Sequence, residues 1–238
     1  MWQVNGEGLV VSAAGKAQRV LGVFAKWPAP GQVKTRLAAV ASDGWAVRVA
    51  TAFLADTLDR LDRIDARRLL AFAPAEEEAA FAELARGRYE LTPQGRGDLG
   101  ERLARFVAAS LGEGSAVVVV GTDSPTLPPA FVEQAFEELR HADIVLGPAT
   151  DGGYYLVGCR RFHPSLFSAI DWSGTSVLRQ TVERLADPAW RLAILPPWYD
   201  IDDFQDWQML VGHLAALRRA GINPSVPHTE ALAREFPP

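Results

Sequence analysis

One cysteine in 238 residues, Cys159, rules out an internal disulfide and a cysteine-based zinc site. A reducing cytoplasm is the expected setting. Cys159 closes a strand-like YYLVG run, which reads as a buried thiol rather than a nucleophile. No apolar run approaches the 18 or so residues needed to span a bilayer, so no membrane span is expected. The N-terminus has Glu7 and no basic segment before its apolar patch at 9–14, a poor fit to a secretory signal. Positive charge is not in excess: the formal net charge is −5, which argues against a general partner of nucleic acid or membrane surfaces. What is present is a chain 48% hydrophobic and 22% charged, enough to bury a sizeable core. Internal repeats, low-complexity linkers and marked domain boundaries are missing as well. The expectation is therefore a single domain over 1–238, with a core at about 19–220, a short leader at 1–18 and a tail at 221–238. That tail has four prolines and is expected to be extended or wrapped on the surface.

Strand and helix signals alternate. Strands are expected at 20–25, 69–73, 117–120, 143–146 and 192–195, those at 20–25 and 117–120 as buried runs and the last as a short one. Helices are expected between them, including 43–64, 131–140 and an amphipathic segment at 204–219. Asp98 and Glu101 form a capping-box pair opening a helix with Leu99, Leu103, Phe106 and Val107 inward. Ser173 is a candidate cap for a helix bearing Val177, Leu178 and Thr181. The alternation implies an α/β fold, its sheet predominantly parallel with helices on both faces.

Chemistry concentrates in five stretches. In VVVVGTDSPTLP (117–128) a continuous β-branched run stops at Gly121, and Asp123 follows at the strand's carboxyl end, where open α/β sheets bind ligands. A carboxylate there suits a hard divalent cation carrying phosphates; an Asx-turn into Pro125 is the plainer reading. The loop KWPAPGQVKTRL gathers Lys26, Gly31, Lys34 and Arg36 beside a helix start, a phosphate cradle although not a Walker A loop. The alternative is a turn whose cations are merely solvated. QGRGDLGERL (94–103) offers glycines before a capped helix, with Gln94 able to donate and accept as a nucleobase edge requires. In GPATDGGYYLVG, Asp151 precedes Gly152, Gly153 and Tyr154. A turn into a strand explains it, and so does bare backbone for a sugar or acceptor with Asp151 as hydroxyl partner or base. WYDIDDFQDW carries Asp200, Asp202, Asp203 and Asp206, more carboxylates than a helix cap needs; Asp202 is the favoured metal ligand.

These blocks, in this order, resemble the glycosyltransferase-A (nucleotide-diphospho-sugar transferase) superfamily over roughly 19–220. More narrowly they resemble the bacterial family called transferase 1, radical-SAM/selenodomain-associated, related to molybdenum-cofactor and lactate-phosphate guanylyltransferases. The resemblance implies a Rossmann-like GT-A sheet and a Mg²⁺ or Mn²⁺ site at Asp123 and Asp202. Asp206 matches the final aspartate of a D-T-P-E-D motif, while the Gly-rich loop of nucleotidyltransferases and the D-x-D of sugar transferases are absent. Three readings follow. In the first, a metal-dependent transferase moves a sugar from a nucleotide-sugar to a small acceptor, with Lys34, Arg36 and Asp151 catalytic. In the second, a nucleotidyltransferase releases pyrophosphate; in the third, a nucleotide-binding partner protein has no turnover. The nucleotide base, the sugar, the acceptor and the oligomeric state are not legible.

Overall fold

The strand β1 (Arg19–Lys26) leads into the one-turn helix α1 (Thr35–Ala38) and the long α2 (Asp43–Leu61). Next come β2 (Arg67–Ala73), α3 (Glu78–Ala85), β3 (Glu90–Pro93), α4 (Leu99–Ser110), β4 (Ala116–Val120) and α5 (Pro129–Glu138). β5 (Ile144–Pro148) turns back into β6 (Tyr154–Cys159), and α6 (Val177–Glu183), β7 (Leu192–Ile194), α7 (Phe204–Arg219) and α8 (Pro227–Glu235) follow. The computed structural model describes residues 18–235 apart from 113 and 173. The expected leader, all but its last residue, and the Ser173 cap therefore lie outside the described residues.

The seven strands form one sheet in the order β3-β2-β1-β4-β6-β5-β7. Every pairing is parallel except those of β6, which runs against β4 and β5. All five residues of β4 are buried, and the run alternates between two layers. Val118 and Val120 pack with Leu54, Leu58 and Phe136, whereas Val117 and Val119 pack with Leu103, Phe106 and Val107. A strand covered on both faces has no solvent side, which is why its sequence reads as continuous valine. The fold is thus α/β with a mostly parallel sheet and helices on both faces. A third apolar layer joins α2, α7 and α8 through Trp45, Phe53, Trp207, Leu210 and Leu232. No helix among the described residues is long and apolar enough to cross a membrane.

Three expectations change. Leu99 does not share the buried face of α4: it is 43% exposed, and Leu103, Phe106 and Val107 carry the packing. β3 was not expected; it is a four-residue edge strand without a fully buried position. The tail is not simply extended, since α8 occupies 227–235. Pro227 opens that helix, where a missing N–H costs nothing. The Asp56 carboxylate of α2 accepts hydrogen bonds from the His228 and Thr229 amides at 3.1 and 2.7 Å. That cap comes from 172 residues away in the chain. Val226 and Leu232 then bury against α2 and α7.

Candidate active site

Three loops are stitched together at the carboxyl edge of β4 and β5. The Asp123 carbonyl accepts from the Ile201 amide at 3.0 Å, tying the loop after β4 to the one before α7. The Trp198 amide donates to the Pro148 carbonyl at 3.0 Å, and the Thr150 amide to the Trp198 carbonyl at 3.1 Å. This stitching brings Asp123, Asp151, Asp200 and Asp202 to the rim of one cavity of about 410 Å³.

Asp151, Asp200 and Asp202 each offer a carboxylate oxygen within 4.8 Å of the others. Burial, then the Asp151 and Asp202 charges, push the Asp200 carboxyl up to about 7. Such crowding of hard oxygen donors is the condition that a divalent cation relieves, and the set fits Mg²⁺ or Mn²⁺. Asp200 was missed as a candidate because its value depends on Asp151, brought close only by the loop stitching.

Lys34 supplies the opposing charge. Its side chain is only 5% exposed, and the ammonium pairs with Asp123 and, at 3.0 Å, with Asp202. Burial opposes that charge, yet the two carboxylates outweigh it and hold the ammonium above its ordinary value. The residue sits in the left-handed region (φ 46°) as the N-cap of α1, with the Phe53 ring 5.8 Å from its nitrogen. Lys34 is therefore a built-in counter-ion between the two expected metal ligands, and not the exposed phosphate-binding residue that its sequence context suggested.

The aspartates before α7 divide their work. Asp203 is the N-cap, accepting from the Gln205 and Asp206 amides at 2.8 and 3.1 Å. Asp206 closes the capping box and accepts from the Asp202 and Asp203 amides at 2.9 and 3.0 Å. Each thus commits one carboxylate oxygen to the helix start, Asp203 its Oδ1 and Asp206 its Oδ2. Asp200 and Asp202 are the surplus.

The remaining candidates scatter. Arg36 is exposed and lines the cavity. Lys26 points away, its ammonium 3.3 Å from the Gln32 carbonyl, and Gly31 (φ 69°) belongs to the turn closed by the Gln32 amide on the Ala29 carbonyl. Gln94 is no base reader. Its amide nitrogen donates to the carbonyls of Ala25 and Ala71 at 3.1 and 2.9 Å, and its oxygen accepts from Arg102 at 3.2 Å. With both donors bridging β1 and β2, it holds the strand ends together. Asp151 accepts from the Gly153 amide at 2.7 Å, an Asx-type turn, while also belonging to the acidic trio. Gly152 is not bare backbone for an acceptor: a Cβ there would lie 2.0 Å from the Thr175 carbonyl oxygen, and its own carbonyl accepts from Leu178. Gly153 and Tyr154 do line the cavity. Cys159 is fully buried, its thiol pushed up to about 12 by burial, as a structural cysteine should be.

No curated protein matches this sequence. A crystal structure from Desulfovibrio desulfuricans G20, named for nucleotide-diphospho-sugar transfer, is 31% identical with a TM-score of 0.81. The match covers 93% of this chain and 99% of that one. A cytidylyltransferase from Leptospira borgpetersenii shares the fold at 11% identity and a TM-score of 0.56, covering 92% of this chain and 95% of that one. The 4-diphosphocytidyl-2C-methyl-D-erythritol synthase of Anaerococcus prevotii does so at 12% and 0.54, over 85% and 97%. Residues 56–174, half the chain, match the family described as an uncharacterized protein conserved in bacteria, DUF2064, and the chain belongs to that family.

Proposed function

We propose that this protein is a metal-dependent transferase that takes a sugar from a nucleotide-diphospho-sugar and passes it to a small acceptor. The observation that carries the reading is the rim of the cavity. There Asp151, Asp200 and Asp202 converge within 4.8 Å, and Lys34 pairs with Asp123 and Asp202 beside them. The likeness to the Desulfovibrio protein over nearly the whole chain supports the same donor class.

Asp200 and Asp202, with Asp151 or Asp123, would hold Mg²⁺ or Mn²⁺. Bound there, the ion would supply positive charge to the diphosphate. Arg36, exposed at the cavity, adds positive charge for the leaving oxygens, while Lys34 holds Asp123 and Asp202 in place as their counter-ion, the preorganised stabilisation that such reactions require. An acceptor hydroxyl attacks the anomeric carbon and the bond from that carbon to the diphosphate breaks. The hydroxyl proton passes to a carboxylate, a role for which exposed Asp151 at the cavity rim is placed where Asp123 rather than Asp151 completes the metal set.

Nucleotidyl transfer is the second reading, supported by the cytidylyltransferases that share the fold. Products discriminate. With Mn²⁺ and panels of nucleotide-sugars and nucleoside triphosphates, the first reading expects free nucleoside diphosphate. Release of pyrophosphate from a triphosphate favours the second. Nucleotide binding with neither product across both panels overturns both and favours a non-catalytic partner.

A further inference from the structure

The loop at 198–202 carries two of the three converging carboxylates, Asp200 and Asp202, and is the hub of the site. Its backbone meets the Asp151 loop where the Thr150 amide donates to the Trp198 carbonyl at 3.1 Å. It meets the Asp123 loop where the Ile201 amide donates to the Asp123 carbonyl at 3.0 Å. A single hydrogen bond between two loops is a pivot: it sets a distance and leaves the loops free to tilt about it. A second bond, set apart from the first, removes that freedom.

Tyr199 supplies the second bond. Its hydroxyl lies 2.6 Å from the Thr126 hydroxyl in the Asp123 loop and 2.6 Å from His213 Nδ1 on α7. A phenol donates to one neighbour while accepting from another, so both bonds form together. Both anchors are themselves fixed. The Thr126 and Leu127 carbonyls accept from the Arg60 guanidinium of α2 at 3.4 and 3.0 Å. His213 sits on a helix whose start is held by the capping box of Asp203 and Asp206. The Tyr199 ring stacks on Trp198, with centroids 5.3 Å apart, and packs against the apolar layer of α2, α7 and α8. A phenylalanine would serve that packing equally well. The hydroxyl is what packing does not account for, and it sits one residue before Asp200, bonded to a residue three after Asp123.

We propose that Tyr199 is a positioning residue of the metal site, its hydroxyl bracing the loop of Asp200 and Asp202 against Thr126 and so holding those carboxylates in register with Asp123 and Asp151. The proposal rests on the metal set named for the transferase. Divalent cations take their oxygen ligands within a narrow range of distances. Groups that orient such ligands from behind typically change metal affinity by about 10–100-fold when they are lost.

Free Mn²⁺ counted by electron paramagnetic resonance gives the affinity of the full chain with no nucleotide present. Tyr199→Phe should weaken Mn²⁺ binding by about tenfold or more. Thr126→Val, which leaves His213 bonded to the phenol, should do the same. The double variant should be no weaker than the worse single one, since both break one bond. Thr126→Ser keeps the hydroxyl and should bind within about twofold of the parent. Asp143→Asn controls for stability. Asp143 is buried before β5, at the opposite edge of the sheet, beside Arg161 and Arg191. Its loss should lower the melting point and leave Mn²⁺ affinity within about twofold, as for a distant, independent position.

Unchanged Mn²⁺ affinity in Tyr199→Phe, an equal loss in Asp143→Asn, or Thr126→Ser as weak as Thr126→Val would overturn the brace and leave the metal site standing. A parent chain that binds no Mn²⁺ would overturn the site and the brace together. The expected Mn²⁺ losses in a protein that transfers no sugar would keep the brace and remove the transferase.

Discussion

Lys34→Ala should lose both stability and turnover. The ammonium is buried against Asp123 and Asp202, so its removal strands two carboxylates that are themselves 57% and 41% exposed. Breaking a fully buried pair costs several kcal/mol, and solvent at the carboxylates reduces that. A loss of about 2 kcal/mol is expected, lowering the melting point by about 4–8 °C for a chain of this size. Turnover should fall at least 100-fold. The same variant should also show a larger melting rise on adding Mg²⁺ than the parent, because the rim has lost its internal counter-ion. An unchanged melting point and an unchanged Mg²⁺ response would mean that the lysine is a solvated surface residue, as its loop composition alone suggests.

Asp202 and Asp206 should separate cleanly. Asp202→Asn keeps an acceptor for Lys34 but removes a charge from the acidic trio. Turnover should fall at least 100-fold, with the melting point falling by less than in Lys34→Ala, because Asp123 still pairs with the ammonium. Asp206→Ala removes the capping box of α7, an expected cost of about 0.5–2 kcal/mol. It also removes the acceptor that holds the Asp202 amide, so activity should fall in part, by less than for Asp202→Asn. Melting curves and steady-state rates for the pair decide this. If Asp202→Asn melts early and keeps its rate, the carboxylate is structural and the trio is not the centre of the chemistry.

Most strands were legible because each is a buried apolar run on a doubly covered sheet, with β4 the clearest case. The capping box at Asp98 and Glu101 was equally plain, being a local pattern. What escaped depended on distant partners. α8 was hidden by its prolines and takes its cap from Asp56 of α2. β3 is too short and too exposed to show a period. Gln94 looked available because its true partners, the carbonyls of Ala25 and Ala71, lie 69 and 23 residues away. Lys34 looked exposed for the same reason: its partner Asp202 is 168 residues downstream. At the site, the sequence singled out Asp123, Asp151 and Asp202, which the fold brings to one cavity. It passed over Asp200, and it read Leu99 as core where the fold turns it into the cavity wall.

The central claim is a nucleotide site completed by a divalent cation at the carboxyl edge of the sheet. Titration calorimetry of UDP and CDP against the parent protein, in Mg²⁺ and then in EDTA, tests it most directly. The account predicts that at least one nucleotide binds in Mg²⁺ and at least tenfold more weakly in EDTA, about 1.4 kcal/mol. Asp123→Asn in Mg²⁺ should weaken it similarly. Equal affinity with and without the cation, in parent and variant alike, would contradict it.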